Sequence, residues 1–272
     1  MDQYCVFGNP IKHSRSPFIH QLFAEQTKQA LTYTTQLVPL DGFEKAVHEF
    51  IVAGGKGANV TVPFKEKALL LCDQLSEVAQ QAGAVNTLSF INGGIIGDNT
   101  DGHGLVNDLL RHKVILAQSR ILLLGAGGAA KGVVLPLLAH NPASIIIANR
   151  TVNKAEQLCT QFNDNRLQAR GFDQINSHTF DLIINATSAS LRGTFPTIPA
   201  KLITTNTVCY DMVYGKKLTS FLVWAQQQGA TQVIDGLGML VEQAAASFYI
   251  WRGILPDVET VIEQLKQTLT QE

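Results

Sequence analysis

Two short segments carry residue types suited to moving a proton. The first is Asn59-Val60-Thr61-Val62-Pro63-Phe64-Lys65. Read as a strand over 57–62, it puts Asn59 and Thr61 on one face and Val60 and Val62 on the other. Pro63 then ends the strand, and Lys65 opens a helix at the sheet's carboxyl edge, where ligands of open α/β sheets bind. The dipole at a helix N-terminus opposes a lysine, which leaves two readings: a solubilising side chain, or a group placed for chemistry. The second segment is Asn99-Thr100-Asp101-Gly102, whose carboxylate could cap a helix from Gly104 or face a cleft. Other proton-handling sets are missing. None of the five tyrosines has a lysine four residues on, and no cluster of His, Cys and Glu offers metal ligands. His13 reads as part of a solvated loop.

A third segment has the chemistry of an anion cradle. Gly125-Ala126-Gly127-Gly128-Ala129-Ala130 fits G-x-G-x-x-A. In that pattern the first glycine allows a tight turn, the second lets the backbone approach a pyrophosphate, and the small last residue lets helix meet strand. The turn follows the apolar run Ile121-Leu122-Leu123-Leu124, opens a helix, and leads to a second apolar strand over 145–148. A dinucleotide pyrophosphate would therefore sit on free N–H groups at a helix N-terminus. Where NAD-binding proteins usually place an acidic residue for the ribose 2′-OH, this chain has Asn149-Arg150-Thr151, with Lys154 one turn later. Arg150 can pair with a 2′-phosphate and stack beside adenine; a solvated arginine at a strand end is the alternative. One charged hydrogen bond is worth about 1.5–3 kcal/mol, so NADP(H) is the expected cofactor.

Alternating strand and helix patterns must position these groups, which indicates an α/β protein with parallel sheets. The first part reads as a strand over 4–8, a helix from Pro17 capped by Ser16, and a strand over 32–38. A helix over 43–52 that Asp41 could cap comes next, then the strand over 57–62. Asn92-Gly93 marks a hairpin over 88–96. A second part starts near Arg120, with strands over 121–124, 145–148, 182–185, 208–211 and 233–234 in a doubly wound sheet. Pro136 predicts a kink or an early end in the helix after the glycine turn. An apolar helix over 239–251 and an amphipathic one after Pro256 find no place in that sheet and should return to cover the first part. The expected architecture is a two-domain α/β fold. A discontinuous substrate domain takes 1–101 and 237–272, and a Rossmann-like NADP-binding domain takes 102–236.

Composition excludes several functions. The chain has 272 residues, 46% of them apolar, enough for a buried core. With 21 basic and 22 acidic residues, net charge −1, there is no electrostatic reason to expect a nucleic acid or membrane partner. The N-terminus lacks a signal-peptide pattern, and no apolar run approaches the length of a membrane span. Cys5, Cys72, Cys159 and Cys209 are scattered in apolar surroundings, as reduced thiols would be, so a cytoplasmic location is expected. Monomer and homodimer both remain open, since an apolar C-terminal helix is compatible with packing inside one chain.

These residues also resemble a family. Matching segments are Gly8-Asn9-Pro10, Ser14-Arg15-Ser16-Pro17, the 59–65 segment, Gly83-Ala84-Val85-Asn86-Thr87, and Asp98-Asn99-Thr100-Asp101-Gly102. They continue through the glycine turn, Asn149-Arg150-Thr151, Asn185-Ala186-Thr187-Ser188, Tyr210-Asp211-Met212-Val213-Tyr214 and Asp235-Gly236-Leu237-Gly238-Met239-Leu240. Along essentially its full length the chain resembles shikimate dehydrogenase. The resemblance implies reversible NADPH-linked reduction of 3-dehydroshikimate to shikimate, on the route to aromatic amino acids. It implies that Lys65 and Asp101 are catalytic, and that Ser14, Ser16, Thr61, Asn86, Tyr214 and Gln243 join them in binding substrate. Gly125, Ala126, Gly127, Gly128, Ala129, Asn149, Arg150, Thr151 and Lys154 would hold the adenine-nucleotide half. Thr187, Met212, Gly236 and Met239 would lie on the nicotinamide side. Ala189-Ser190, where the family more typically has a glycine, and His103 after Asp101-Gly102, where an apolar residue is common, depart from the pattern. Alternatives are a quinate/shikimate enzyme preferring NAD, which Arg150 opposes, and a silent NADP-binding module, which Lys65 and Asp101 oppose.

Overall fold

The structure is a computed structural model that describes residues 1–175 and 179–271. The chain divides into two units, one of 1–104 with 241 to the C-terminus, the other of 105–240.

In the first unit, β1 (Asp2–Gly8), α1 (Ser16–Thr27), β2 (Leu31–Leu37), α2 (Phe43–Val52) and β3 (Gly55–Val60) follow one another. Then come α3 (Lys65–Leu71), the short β4 (Gln74–Leu75), α4 (Glu77–Ala82), β5 (Thr87–Ile91), β6 (Gly94–Asp98) and the start of α5 (Asp101–Arg111). The sheet order is β2-β1-β3-β5-β6-β4. β1 is parallel to both neighbours, while β5 is antiparallel to β3 and to β6, so the sheet is mixed, and the β5–β6 pair is the hairpin expected over 88–96. The reason is local. Asn92 and Gly93 take φ of 53° and 80°, the two left-handed positions of a two-residue hairpin, which turns β6 straight back. Cys5, Phe7, Ala58 and Val60 bury one face against Phe43, Val47, Phe64 and Ala68.

The second unit continues from α5 through β7 (Arg120–Leu124), α6 (Gly128–Ala139), β8 (Ser144–Ala148), α7 (Val152–Phe162), β9 (Leu167–Arg170), β10 (Leu182–Asn185), β11 (Val208–Asp211), α8 (Ser220–Gln227) and β12 (Gln232–Asp235). All its strands are parallel, in the order β12-β11-β10-β7-β8-β9. Chain direction across the sheet reverses between β7 and β10, the switch point at which such sheets bind ligands. Alternate residues of β7 enter different cores: Ile121 and Leu123 one, Leu122 and Leu124 the other. Burial on both faces is what the unbroken apolar run encoded.

The last helices are α9 (Leu237–Arg252) and α10 (Val258–Gln271). From Val241 onward they belong to the first unit. Trp251 stacks on Tyr4 at 4.7 Å and donates from Nε1 to the Leu88 carbonyl at 3.0 Å. Gly57 permits that approach, since a Cβ there would stand 2.6 Å from Trp251 Nε1. Arg252 pairs with Asp2.

Four local expectations need correction. Ser16 is the first residue of α1, not its cap, because Arg15 already has helical torsions (φ −89°, ψ −6°) and its carbonyl accepts from Ile19 N at 3.1 Å. Gly42, not Asp41, stands at the cap of α2, with its carbonyl accepting from Ala46 N. An early end at Pro136 is not found, since α6 runs on to Ala139. Val133, Val134, Leu137 and Leu138 are buried around it, and at about 1.5–3 kcal/mol each their burial outweighs the roughly 3 kcal/mol a mid-helix proline costs. Finally, β3 ends at Val60, so Val60 is core while Val62 is exposed. A turn closed by Phe64 N on the Thr61 carbonyl at 3.0 Å has already begun there.

Candidate active site

In the first unit, the loop after β3 delivers Lys65 as the first residue of α3, and the end of β6 delivers Asp101 as the first residue of α5. Lys65 Nζ donates to Asp101 Oδ2 at 2.5 Å, with side chains 28% and 16% exposed. The lysine backbone is tied down as well, its carbonyl accepting from Val85 N at 2.9 Å. Asp101 N donates to Asn99 Oδ1 at 3.1 Å, and Asn99 Nδ2 to the Ala84 carbonyl at 2.9 Å. The other carboxylate oxygen, Asp101 Oδ1, accepts from Asn86 Nδ2 at 2.9 Å. Gln243, on α9, lies within 3.4 Å of the same amide through Oε1.

Four of the anticipated residues, Lys65, Asp101, Asn86 and Gln243, thus form one bonded cluster. Thr61 is half-buried just past β3; its methyl is the reason position 8 is glycine, since a Cβ on Gly8 would stand 2.6 Å from it. Ser14 Oγ accepts from Ser16 N at 3.3 Å. Ser16 is buried beside the Tyr33 phenol, which burial holds well above its usual pKa. Tyr33 in turn donates to Asn59 Oδ1 at 2.8 Å. His103 and His13 are exposed. Thr87 and Thr100, inside quoted segments but given no role there, and Ser247, outside every one of them, are buried hydroxyls bonded around Asn86.

In the second unit, Gly125 follows β7 with φ 112°, a torsion that favours glycine, and its N–H donates to the Ala148 carbonyl at 2.7 Å. A Cβ there would also stand 3.1 Å from Thr187 Cγ2, so the turn and the end of β10 meet closely at the switch point. Ala126 is partly buried against the core, and Ala130 is fully buried, as helix–strand packing requires. Gly127 caps α6 without a side-chain bond, and Gly127, Gly128 and Ala129 are exposed. A Cβ on Gly127 or Gly128 would meet nothing within 4 Å. Open space above bare helix N–H groups is what a pyrophosphate needs.

At the end of β8, Asn149 Nδ2 donates to the Thr151 carbonyl at 2.9 Å, and Thr151 is the cap residue of α7. Arg150 and Lys154 are exposed, and neither is in an ion pair among the described residues. A pocket of about 840 Å³ is lined by Asn149, Arg150, Asp173, Thr187, Arg192 and Phe195 among others. Arg192 and Phe195 lie in and just beyond the 3-10 turn Ser188–Arg192, which has no periodic pattern to reveal them. Ser190 anchors that turn, donating to Asp211 Oδ2 at 2.6 Å and accepting from Asn185 Nδ2 at 3.1 Å. The serine that departs from the family pattern therefore has a structural role. Gly236 lies against the Met212 backbone, where a Cβ would stand 2.2 Å from the carbonyl oxygen, and Met212 and Met239 share one core. Tyr214 is half-buried two residues beyond Met212. Among the described residues, no group of three or more His, Cys, Asp or Glu could hold a metal ion, and no helix is long and apolar enough to cross a membrane.

Comparison with known proteins places the chain in a family. Residues 6–88 match the family model of the shikimate dehydrogenase substrate binding domain, 108–192 that of shikimate / quinate 5-dehydrogenase, and 236–266 that of the shikimate 5'-dehydrogenase C-terminal domain. The shikimate dehydrogenase (NADP(+)) of Colwellia psychrerythraea is 61% identical over 268 residues, 98% of each chain. Among solved structures, an Ael1 enzyme from Pseudomonas putida superposes with a TM-score of 0.95 at 44% identity, covering 97% of this chain and 98% of that one. Shikimate 5-dehydrogenase from Thermus thermophilus, solved with NADP(H) and shikimate, gives 0.90 at 33% identity, covering 99% and 100%. Likeness at this level along the whole length, with the lysine–aspartate pair and the glycine turn both in place, means that the chain belongs to the shikimate dehydrogenase family.

Proposed function

We propose that this protein interconverts 3-dehydroshikimate and shikimate with NADP(H), in the cytoplasm and on the route to aromatic amino acids. The observation that carries the reading is the Lys65–Asp101 pair at 2.5 Å, its other carboxylate oxygen held by Asn86. When bound, NADPH supplies a hydride to the ring carbonyl carbon. The chain's own groups handle the proton: in reduction it passes from the Lys65–Asp101 pair to the substrate oxygen, and in oxidation the pair takes it back. Ser14, Ser16, Thr61, Gln243 and Tyr214 are assigned to the ring hydroxyls and carboxylate. Analogues that leave such groups unpaired would be rejected. Asn86 contributes by orienting Asp101.

The first unit is the substrate-binding part and the second the nucleotide-binding part. Gly125 to Ala129 take the pyrophosphate, where the open space over Gly127 and Gly128 fits it. Asn149, Arg150, Thr151 and Lys154 take the 2′-phosphorylated adenosine, for which two cations outside any ion pair among the described residues are suited. Thr187, Met212, Gly236 and Met239 take the nicotinamide side. All four cysteines are free thiols, which fits a reducing compartment.

Initial rates with shikimate and with quinate, each with NADP and with NAD, test the assignment. Turnover of shikimate with NADP is expected; quinate turnover with NAD would move the protein to the broader enzyme, and no turnover would leave a binding module. Lys65→Ala should lower kcat by about 10²–10⁴-fold with little change in KM. A large rise in KM at unchanged kcat would reassign Lys65 to binding.

A further inference from the structure

Asn86 is bonded on every side, and the direction of those bonds can be read. Thr100 N approaches Asn86 Oδ1 at 2.9 Å, and because an N–H can only donate, the amide atom facing it is the oxygen. The amide nitrogen therefore faces Asp101. A second donor reaches the same oxygen: Thr87 Oγ1, 2.8 Å away in a residue 1% exposed. Thr87 has one hydroxyl hydrogen, and this contact, to an atom that can only accept there, takes it. Thr87 Oγ1 itself accepts from Asn59 Nδ2 at 3.2 Å and lies 2.8 Å from Ser247 Oγ, whose own hydrogen also reaches the Gln243 carbonyl at 3.0 Å. Ser247 in turn accepts from Asn59 Nδ2 at 2.9 Å, and Asn59 is oriented by the Asn86 backbone carbonyl, to which it donates at 3.0 Å. The chain of donors runs Asn59 to Thr87 to Asn86 to Asp101 Oδ1, leaving Oδ2 for Lys65.

We propose that Thr87 is a positioning residue for the Lys65–Asp101 pair. Its hydroxyl holds the Asn86 amide so that its N–H fixes Asp101 Oδ1 and leaves the other oxygen aimed at Lys65. Thr87 is bonded to neither Lys65 nor Asp101; it acts through Asn86. The inference rests on the proton-handling role proposed for that pair. Hydrogen bonds in such a chain polarise one another, so the effect of Thr87 reaches the carboxylate with only Asn86 between them.

Thr87→Val keeps the shape and removes the hydroxyl; Thr87→Ser keeps the hydroxyl and removes the methyl. Steady-state shikimate oxidation is measured for both. Thr87→Val should lower kcat on the order of 10–100-fold, the scale of a misplaced reacting group, with the KM for NADP unchanged. Thr87→Ser should return kcat to within about threefold of wild type, because the bond matters and the packing does not. Wild-type kcat in Thr87→Val, or equal loss in the two variants, overturns the proposal. If Thr87→Val does not fold, Thr87→Ala set against Thr87→Ser puts the same question. A kcat loss in Thr87→Ala that Thr87→Ser lacks, at constant KM for NADP, supports the proposal, and no such loss overturns it. Absence of shikimate turnover by the wild type would instead refute the assigned reaction, and this inference with it.

Discussion

His20 makes the first unit sensitive to acid in a way that can be calculated. It lies on α1, fully buried, with its ring stacked on Tyr33 at 4.1 Å and 6° and with Trp251 and Phe248 nearby. Neither ring nitrogen has a hydrogen-bond partner among the described residues. Burial pushes its pKa down to about 3 from the usual 6.5, outweighing the smaller opposing influence of Asn59. Because the folded-state value is depressed, the unfolded chain takes up the proton first as pH falls. The neutral ring's contribution is complete above about pH 6.5 and is lost progressively toward about pH 3. The slope in that window approaches 1.4 kcal/mol per pH unit, so about 3 kcal/mol is gone by about pH 4. Against a total stability of about 5–15 kcal/mol, that loss is large. His20→Phe keeps a ring against Tyr33 and cannot titrate. Urea unfolding followed by Trp251 fluorescence, in a Trp224→Phe background, should show stability falling more steeply with acid in wild type than in His20→Phe. Carboxylates common to both proteins cancel in the difference. Parallel stability curves from about pH 6 to about pH 4 would show that His20 is protonated in the folded state and sink the argument.

Two further substitutions probe the second unit. Gly238→Ala would normally strengthen a helix by about 1 kcal/mol. Here the new Cβ would stand 1.9 Å from Oδ1 of the buried Asp108, which accepts from Tyr210 Oη at 2.7 Å and Arg111 Nη2 at 2.5 Å. Overpacking of about 1–3 kcal/mol plus a weakened charged bond should make the variant less stable, and an unchanged or raised melting temperature would contradict this. Arg192→Ser tests the second arginine of the 840 Å³ pocket. Calorimetry should show 2′,5′-ADP binding weakened by about tenfold or more, one charged hydrogen bond, with 5′-ADP unaffected. Equal losses for the two nucleotides would mean that Arg192 shapes the pocket without contacting the 2′-phosphate.

What could be read from sequence and what could not divides along physical lines. Ile121 to Leu124 and Leu182 to Asn185 were legible as central strands because burial on both faces leaves no other use for such runs. Asn92-Gly93 was legible because few residue pairs accept two left-handed torsions in succession. The misreadings concern boundaries and caps, where one torsion decides: Arg15 is helical, so Ser16 cannot cap, and nothing in the residue types at 14–17 says so. The buried support of the candidate active site is a different case. Ser247 sits among Ala244, Ala245, Ala246 and Phe248, where a small residue suggests close helix packing and no chemistry. Its meaning depends on Thr87, 160 positions away in the chain. Even the pair of identities would not suffice, because the site depends on which atom of the Asn86 amide faces Asp101. That choice is made by Thr100 N, a backbone group present whatever the side chain. A buried network of this kind is costly unless every member is satisfied. The hydroxyls at 87 and 247 therefore belong to one set, a constraint on the fold that single-residue motifs do not express.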